Sequence, residues 1–360
     1  MSCSQNEQIS SIPAIGQRLE PKLSAKGAPL IFVDMPEVLK GPTYSGGMKA
    51  SYRDTLSGQF RLMYYHQNKT GKTLYYCIAF SNTSNKSINI DWGRIGIGEN
   101  TDAAVLGRDM TRDWYNTSNT YNRWGTVPAN KTKYFTIRTV KNTFTGSAMI
   151  DFKVSASITI TIIITDTLPY NDIQNGVNSL PILNATILPW IEKINVGKDE
   201  EVVGITRGTW EHNTLTGSIN YVGKNGNQHI TLGNDPRQGA ATAWLTGEKI
   251  KGYSAVDHKY TTDYGNYGVE YQMSVSVQEP WTGYSYFGTI YFDLIHGNYE
   301  WYYSYFVGQV NSGTRISPKW INSNTRGWVL DKRRAGTYSL STMVSAGSDH
   351  PLGLLFVSDN

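Results

Sequence analysis

From Phe144 to Thr167 the chain reads FTGSAMIDFKVSASITITIIITDT, and this alternation limits the fold more than any other stretch. Ile150, Phe152, Val154, Ala156, Ile158, Ile160, Ile162 and Ile164 are apolar, while Asp151, Lys153, Ser155, Ser157, Thr159 and Thr161 between them are polar. A period of two sends successive side chains to opposite faces, so this is β-structure with one face on a core. Strands usually run about 3–10 residues. A run this long is expected to break at Ser155-Ala156-Ser157, either as a bend or as a three-residue loop setting Val154 opposite Ile158. Ile158, Ile160, Ile162 and Ile164 are expected to form one buried face.

The same character holds along the chain. Charged residues make up 17% of its 360 residues, against about 25% in an ordinary globular protein. Asn, Thr, Ser, Gly and Tyr take their place, a mix that suits sheets and turns better than helices. The net charge is +4 and the basic residues are scattered, so no nucleic-acid partner is expected. Of the two cysteines, Cys77 lies in the apolar strand Leu74–Phe80 and reads as a buried free thiol, and Cys3 lies in a polar tail. Neither a disulfide framework nor a zinc site is expected.

The start, MSCSQNEQISSIPAIGQ, lacks the charged head and apolar run of a secretory signal, and Cys3 lacks the apolar segment that precedes a lipoprotein cysteine. No run of about 18 apolar residues occurs, so no membrane-spanning helix is expected. The expected place of synthesis is the cytoplasm.

Length predicts two domains. Residues 1–28 form a polar arm without periodicity. Residues 29–195 form a first β-sandwich domain ending in a Pro-rich connector, and residues 196–360 a second. In the first, Pro29–Val33 reads as a strand, and Gln59–Tyr65 and Thr73–Phe80 as a hairpin turning at Asn68–Lys72. Ser87–Trp92 and Lys133–Ile137 read as further strands. Ala103–Tyr115 is the one helix, with Asp102 as N-cap and Val105, Met110 and Trp114 on its apolar face beside Leu106. In the second, strands are expected at 217–222, 267–277, 284–294, 299–307, 327–330 and 353–357. The fold class is all-β: two tandem β-sandwich-like domains, one short helix and an N-terminal arm.

Motifs for chemistry are missing. Neither His-Glu-x-x-His nor Gly-x-Ser-x-Gly occurs. Gly71-Lys72-Thr73 ends like a phosphate loop, but His66 stands where the first glycine belongs and a strand follows, so it reads as a turn. The six histidines are scattered, and the neighbours Asp257 and His258 would point to opposite faces of a strand. Asp263–Gly268 departs from calcium-loop spacing and reads as a turn. We therefore expect no catalytic residues, no metal and no cofactor. The sharpest signal is aromatic: Trp281, Tyr284, Tyr286, Tyr299, Trp301, Tyr303 and Tyr305 crowd a short span. They can fill a core by cross-strand pairing, form a protein interface, or stack on glycan.

Several stretches carry a family likeness: Ile95-Gly-Ile-Gly-Glu99, Ala104–Trp114, Val127–Tyr134, Phe144–Phe152 with its Val154–Thr161 continuation, Thr206–Trp210, Asn266–Tyr271 and His350–Phe356. In this order they resemble the β-rich region of stalk-domain proteins of spore-forming bacilli, labelled copper amine oxidase N-terminal-domain proteins. The likeness covers roughly residues 30–357 and rests on glycines, turns and core positions. It implies a surface protein of Bacilli. Neither the stalk segment nor a copper or quinone site is present, so no oxidase activity carries over.

The expected function is a non-enzymatic structural protein that self-assembles into a spore-associated or surface layer, coat or parasporal crystalline inclusion, released by lysis. Its partner is then itself, as a homo-oligomer or lattice. The alternative is a glycan-binding module, such as part of an insecticidal inclusion protein. The arm is the expected assembly element. Its sparse apolar residues Ile9, Ile12, Ile15 and Leu19 would dock on a neighbouring subunit, with Cys3 placed to form an intermolecular disulfide. Ordering such an arm costs about 1–2 kcal/mol per residue in backbone entropy, which its contacts must outweigh.

Overall fold

The computed structural model describes residues 8–9, 16–41, 43–169, 177–184, 206–236, 243–278, 285–290, 305–316, 327–333, 335–347 and 351–358. The fold is all-β with one α-helix among these residues. The chain forms two compact units, and neither is contiguous: one comprises Ala28–Glu211 with Lys251–Thr262, the other Met1–Gly27, His212–Ile250 and Asp263–Asn360. This differs from a single cut near residue 195. Strand Arg207–Trp210 pairs antiparallel with Leu30–Val33, and Gly252–Ser254 then pairs with Arg207–Trp210. Backbone hydrogen bonding thus carries both segments back to the first unit.

That unit is built on two long antiparallel strands, Lys49–Asn68 and Thr145–Thr165. Thr145–Thr165 pairs with Ile88–Asn100 over its first half and with Leu74–Asn82 over its second. Between the halves, Val154 faces Gly58 and Ile158 faces Leu56, so Ser155, Ala156 and Ser157 share one opposing residue, Ser57. The three bulge outward, exposed, and Gly58 takes a left-handed φ of 74°, which only glycine adopts without cost. The stretch is therefore bent, not looped. The bend lets the halves close on each other: the Phe152 ring lies 5.4 Å from Phe60, 5.2 Å from Phe80 and 4.9 Å from Phe135. Ile158, Ile160, Ile162 and Ile164 are all buried in this core. Ile163 is also buried, on the opposite face with Cys77, Ala79 and Val177. Cys77 is a free buried thiol.

The expected hairpin of 59–65 with 73–80 does not form. Thr159 pairs with Thr55 on one side and Ser81 on the other, so Thr145–Thr165 lies between the two strands. Their connection instead turns on a buried asparagine. Asn68 Nδ2 donates to the Lys72 and Val140 carbonyls at 2.8 and 2.9 Å, and its Oδ1 accepts from the Thr70 amide. Asn82 does the same one turn later, donating to Lys86 and Val127 and accepting from the Ser84 amide. Asn122–Val127 adds a strand that periodicity did not predict, antiparallel to Ile88–Asn100.

The helix spans Ala103–Asn116, and the Asp102 carboxylate accepts from the Ala104 and Val105 amides at 3.0 Å. Its buried side carries Ala104, Leu106, Gly107, Met110, Thr111, Trp114 and Tyr115. Val105, expected on that face, is only half-buried, because Leu106 and Met110 set the phase against the sheet. The helix seats on Gly96 and Gly98: a Cβ on Gly96 would lie 2.0 Å from the Met110 carbonyl oxygen, and one on Gly98 2.9 Å from Leu106. Beneath it Arg61 pairs with Asp151 at 2.7 Å, and the Arg61 and Arg94 guanidiniums stack on Trp114 at 4.3 and 4.4 Å.

The second unit pairs two sheets. One runs in the order Gln8–Ile9, Gly327–Arg333, Ser285–Ile290, Leu352–Ser358, Gln228–Leu232, Gln17–Arg18. The other runs Gly313–Ile316, Val307–Val310, Gly336–Thr342, Glu270–Gln278, Thr214–Val222, Ser24–Lys26. Tyr221 of the second stacks on Phe356 of the first at 5.5 Å, joining the layers.

Replacing Ile160 by Asp buries a charge without a partner and should cost several kcal/mol. Urea denaturation checks it: an unchanged midpoint would contradict the packing described.

Candidate functional site

Among the described residues the exposed large apolar side chains are Leu168, Tyr253 and Tyr260. Two of the three touch: the Tyr253 and Tyr260 rings lie 5.6 Å apart at 74°, edge to face. They sit on a hairpin of Gly252–Ser254 and Lys259–Thr261, where Tyr253 pairs with Tyr260. Among the described strands Lys259–Thr261 is the last of its sheet.

The hairpin is held rigidly from below. Arg207, buried on the adjoining strand, grips both oxygens of Asp257 with Nε and Nη2. Its Nη1 donates to the carbonyls of Ser51 and Leu183. The Ser254 hydroxyl donates to Asp257 Oδ2 at 2.6 Å, and the His258 amide closes the turn on the Ser254 carbonyl. Burial pushes the Asp257 carboxyl up, but the Arg207 and Ser254 hydrogen bonds and the charges of Arg207 and Lys259 outweigh it and hold the group below its ordinary range. Asp257 therefore stays ionised near neutral pH, and His258 adopts a left-handed φ of 55° beyond it. A further brace comes from Tyr52, whose hydroxyl meets Thr209 Oγ1 at 3.0 Å and Asp54 Oδ2 at 3.2 Å. The arrangement fixes two amphipathic rings on a preorganised edge, the property that lowers the entropy cost of binding. Nothing in it supplies a nucleophile with a base.

The sequence-predicted residues lie elsewhere. Cys3, Ile12, Ile15, Trp281, Tyr284, Tyr299, Trp301 and Tyr303 are outside the described residues. Tyr286 is described by its backbone, paired with Lys332 and Val357, and Ile9 by its pairing with Gly327. Tyr305 is buried, as core. Leu19 is half-buried and its amide donates to the His229 carbonyl at 2.7 Å. Where described, the arm pairs with its own chain, at Gln8–Ile9, Gln17–Arg18 and Ser24–Lys26. An open groove of about 450 Å³ beside it is lined by Lys22, Ser24, Thr216, Gly217 and Ser218, none of them aromatic.

Tyr253 and Tyr260 were missed by sequence reasoning, because each strand is three residues long and periodicity has nothing to count. The one available signal was a tyrosine on either side of the Asp257-His258 turn. Among the described residues no three His, Cys, Asp or Glu side chains converge on a metal geometry, and no helix is long and apolar enough to cross a membrane. His66 is buried in the core, its Nδ1 2.9 Å from the Pro36 carbonyl oxygen and its ring stacked on Tyr64.

No family model and no curated protein matches the chain. Among solved structures, the CUB1-EGF-CUB2 domains of rat MASP-1 are 8% identical, with 86% of this chain and 95% of that one covered, at a TM-score of 0.20. The human MASP-1/3 CUB1-EGF-CUB2 domain is 7% identical, with 89% and 98% covered, at 0.19. The complex of plant peptide RALF23 with FER and LLG2 is 10% identical, with 94% and 96% covered, at 0.15. Likenesses this slight carry no argument about fold or function.

Burial, then the positive charge of Arg207, pull His66 down to about 4, with the Pro36 hydrogen bond acting the other way. The unfolded chain, with an ordinary histidine near 6.5, binds the proton first. Stability is therefore full above pH 6.5 and falls by roughly 3 kcal/mol as pH drops from there to about 4. Denaturant midpoints across this range should fall, and His66→Gln should flatten the slope. A slope unchanged by that substitution would contradict the assignment.

Proposed function

We propose that this chain is a non-enzymatic structural protein that assembles with copies of itself. The observation that carries the reading is the rigid edge hairpin, where the last described strand of the sheet presents the touching pair Tyr253 and Tyr260. Exposed open edges recruit other strands, and natural proteins blunt such edges unless they are used. This edge is self-complementary. Antiparallel pairing about a two-fold axis at Tyr260 sets Tyr260 against its copy and Lys259 against Thr261, with no like charges opposed. Fixed tyrosines supply contact area and polar tips at low entropy cost.

A three-residue edge buries far less than the roughly 1,600 Å² of a standard interface. One such contact is weak, and the assembly holds by repetition through a second contact. For that role we propose the N-terminal arm, exchanging its short cis strands with a neighbour in a domain swap. The setting as a spore-associated or surface layer, coat or crystal rests on the motif resemblance alone. The glycan-binding alternative has less support: a stacking platform asks for coplanar rings, and the exposed pair stands at 74°.

Sedimentation of the full chain from micromolar to millimolar concentration tests the reading. Wild type and Tyr260→Phe should associate, and Tyr260→Asp, which opposes two carboxylates across the axis at an exposed position, should not. Assembly of Tyr260→Asp at wild-type concentration would exclude the hairpin as the contact.

A further inference from the structure

The second unit holds a polar cluster that the assembly reading does not use. Three segments meet at Gly233: a Cβ placed there would lie 2.5 Å from the Gly265 carbonyl oxygen and 2.4 Å from Val344. Two buried carboxylates belong to this junction, Asp263 on one of the three segments and Glu248 on a fourth that hydrogen-bonds to Gly233 and Asn234, and their surroundings differ sharply. Glu248 is fully buried and accepts five hydrogen bonds, from the amides of Gly233, Asn234 and Leu245, the Asn234 side-chain amide and the Tyr271 hydroxyl. A carboxyl group so supplied with donors needs nothing more. Asp263 is 3% exposed, and neither of its side-chain oxygens has a hydrogen-bond partner among the described residues. The Tyr267 amide acts against the effect of burial on this carboxyl.

Asp263 is not the only group in this state. Asn234 Oδ1, 1% exposed as a residue, also lacks a donor, as do the hydroxyls of Thr231 and Ser345 on the same converging segments. On these three segments the unmatched atoms are oxygens, while Trp244 Nε1 on the Glu248 segment is an unmatched nitrogen. A carboxylate stripped of water is strongly disfavoured, and burial pushes the Asp263 carboxyl well above the usual range against the opposing Tyr267 amide. Donors have been spent generously on Glu248, which accepts from the Gly233 and Asn234 amides of the same junction, so this is no general shortage. The turn that carries Asp263 is closed by the Asn266 amide on the Asp263 carbonyl and by left-handed residues at Gly265, Asn266 and Gly268. Hard cations such as calcium take six to eight oxygen ligands, carboxylate, amide and carbonyl alike.

We propose that the segments around Gly233 and Asp263 form a binding site for a hard, oxygen-preferring divalent cation of the calcium class, with Asp263 as the charged ligand and Asn234 Oδ1 as a neutral one. The sequence suggested only a turn here, because its acidic spacing departs from a calcium loop. The site draws its oxygens from segments distant in sequence, which spacing cannot reveal. Its function is to tie these segments together, independently of how copies of the chain associate.

Terbium is the direct probe, since Tyr264 and Tyr267 flank the site within the same turn and can sensitise its emission. Titrating terbium into the full-length protein should give tyrosine-sensitised luminescence that calcium competes away and magnesium does not. Calcium at about 100 times its Kd should raise the melting temperature by roughly 5–10 °C. Asp263→Asn, isosteric and uncharged, should lose both responses while melting no lower than wild type in chelator. The proposal is overturned if wild type shows no competed luminescence and no calcium-dependent shift. It is equally overturned if Asp263→Asn responds as wild type does, which would leave Asp263 a protonated or hydrated core carboxyl.

Discussion

The larger unit depends on the antiparallel pairing of Lys49–Asn68 with Thr145–Thr165. Each strand is about twice the usual length, and both serve two half-sheets at once. The bulge at Ser155–Ser157 opposite Ser57 converts one overlong ladder into a corner. Without the corner, Phe152 could not reach Phe80, and the apolar faces of the two halves would remain in water. Everything else in the unit attaches to this pair: the helix on one flank, Leu74–Asn82 on the other, and the Arg207 strand by way of Leu30–Val33.

Buried ions and amides do the positioning at its borders. Arg61 and Asp151 sit beneath the helix, and Arg207 and Asp257 beneath the edge hairpin. Such pairs add little net stability, but removing one partner leaves a buried charge and is costly. They therefore favour one arrangement over near alternatives. At the hairpin this matters for function, because the Tyr253–Tyr260 pair is useful as a contact only if its geometry is set beforehand.

What the sequence made legible was local. Alternation placed Ile158 to Ile164 on one buried face, Asp102 marked the start of the helix, and an apolar neighbourhood marked Cys77 as buried. Partner choice was not legible. A run of alternating residues states which side chains face a core but not which strand lies beside it, so 59–65 and 73–80 read as a hairpin when a third strand lies between them. On the helix Met110 and Trp114 were legible as buried, with Leu106 beside them, and Val105 alone was misplaced, since it is as apolar as Leu106 and only the glycines at 96 and 98 decide between the two. The candidate surface escaped because its strands are too short for periodicity and its anchor, Arg207, lies far away in the chain. The aromatic cluster that looked most functional contributes to the described structure a buried Tyr305 and the backbone of Tyr286 within a sheet.

The central structural claim is that the bent pair is the most stable element of its unit and that the hairpin is an attachment to it. Native-state hydrogen exchange measures this directly. Amides of Ile158–Ile164 and Tyr52–Leu56 should exchange only with global unfolding, while those of Tyr253–Tyr260 exchange sooner, through local opening. Exchange of the 158–164 amides as fast as those of the hairpin would contradict the account.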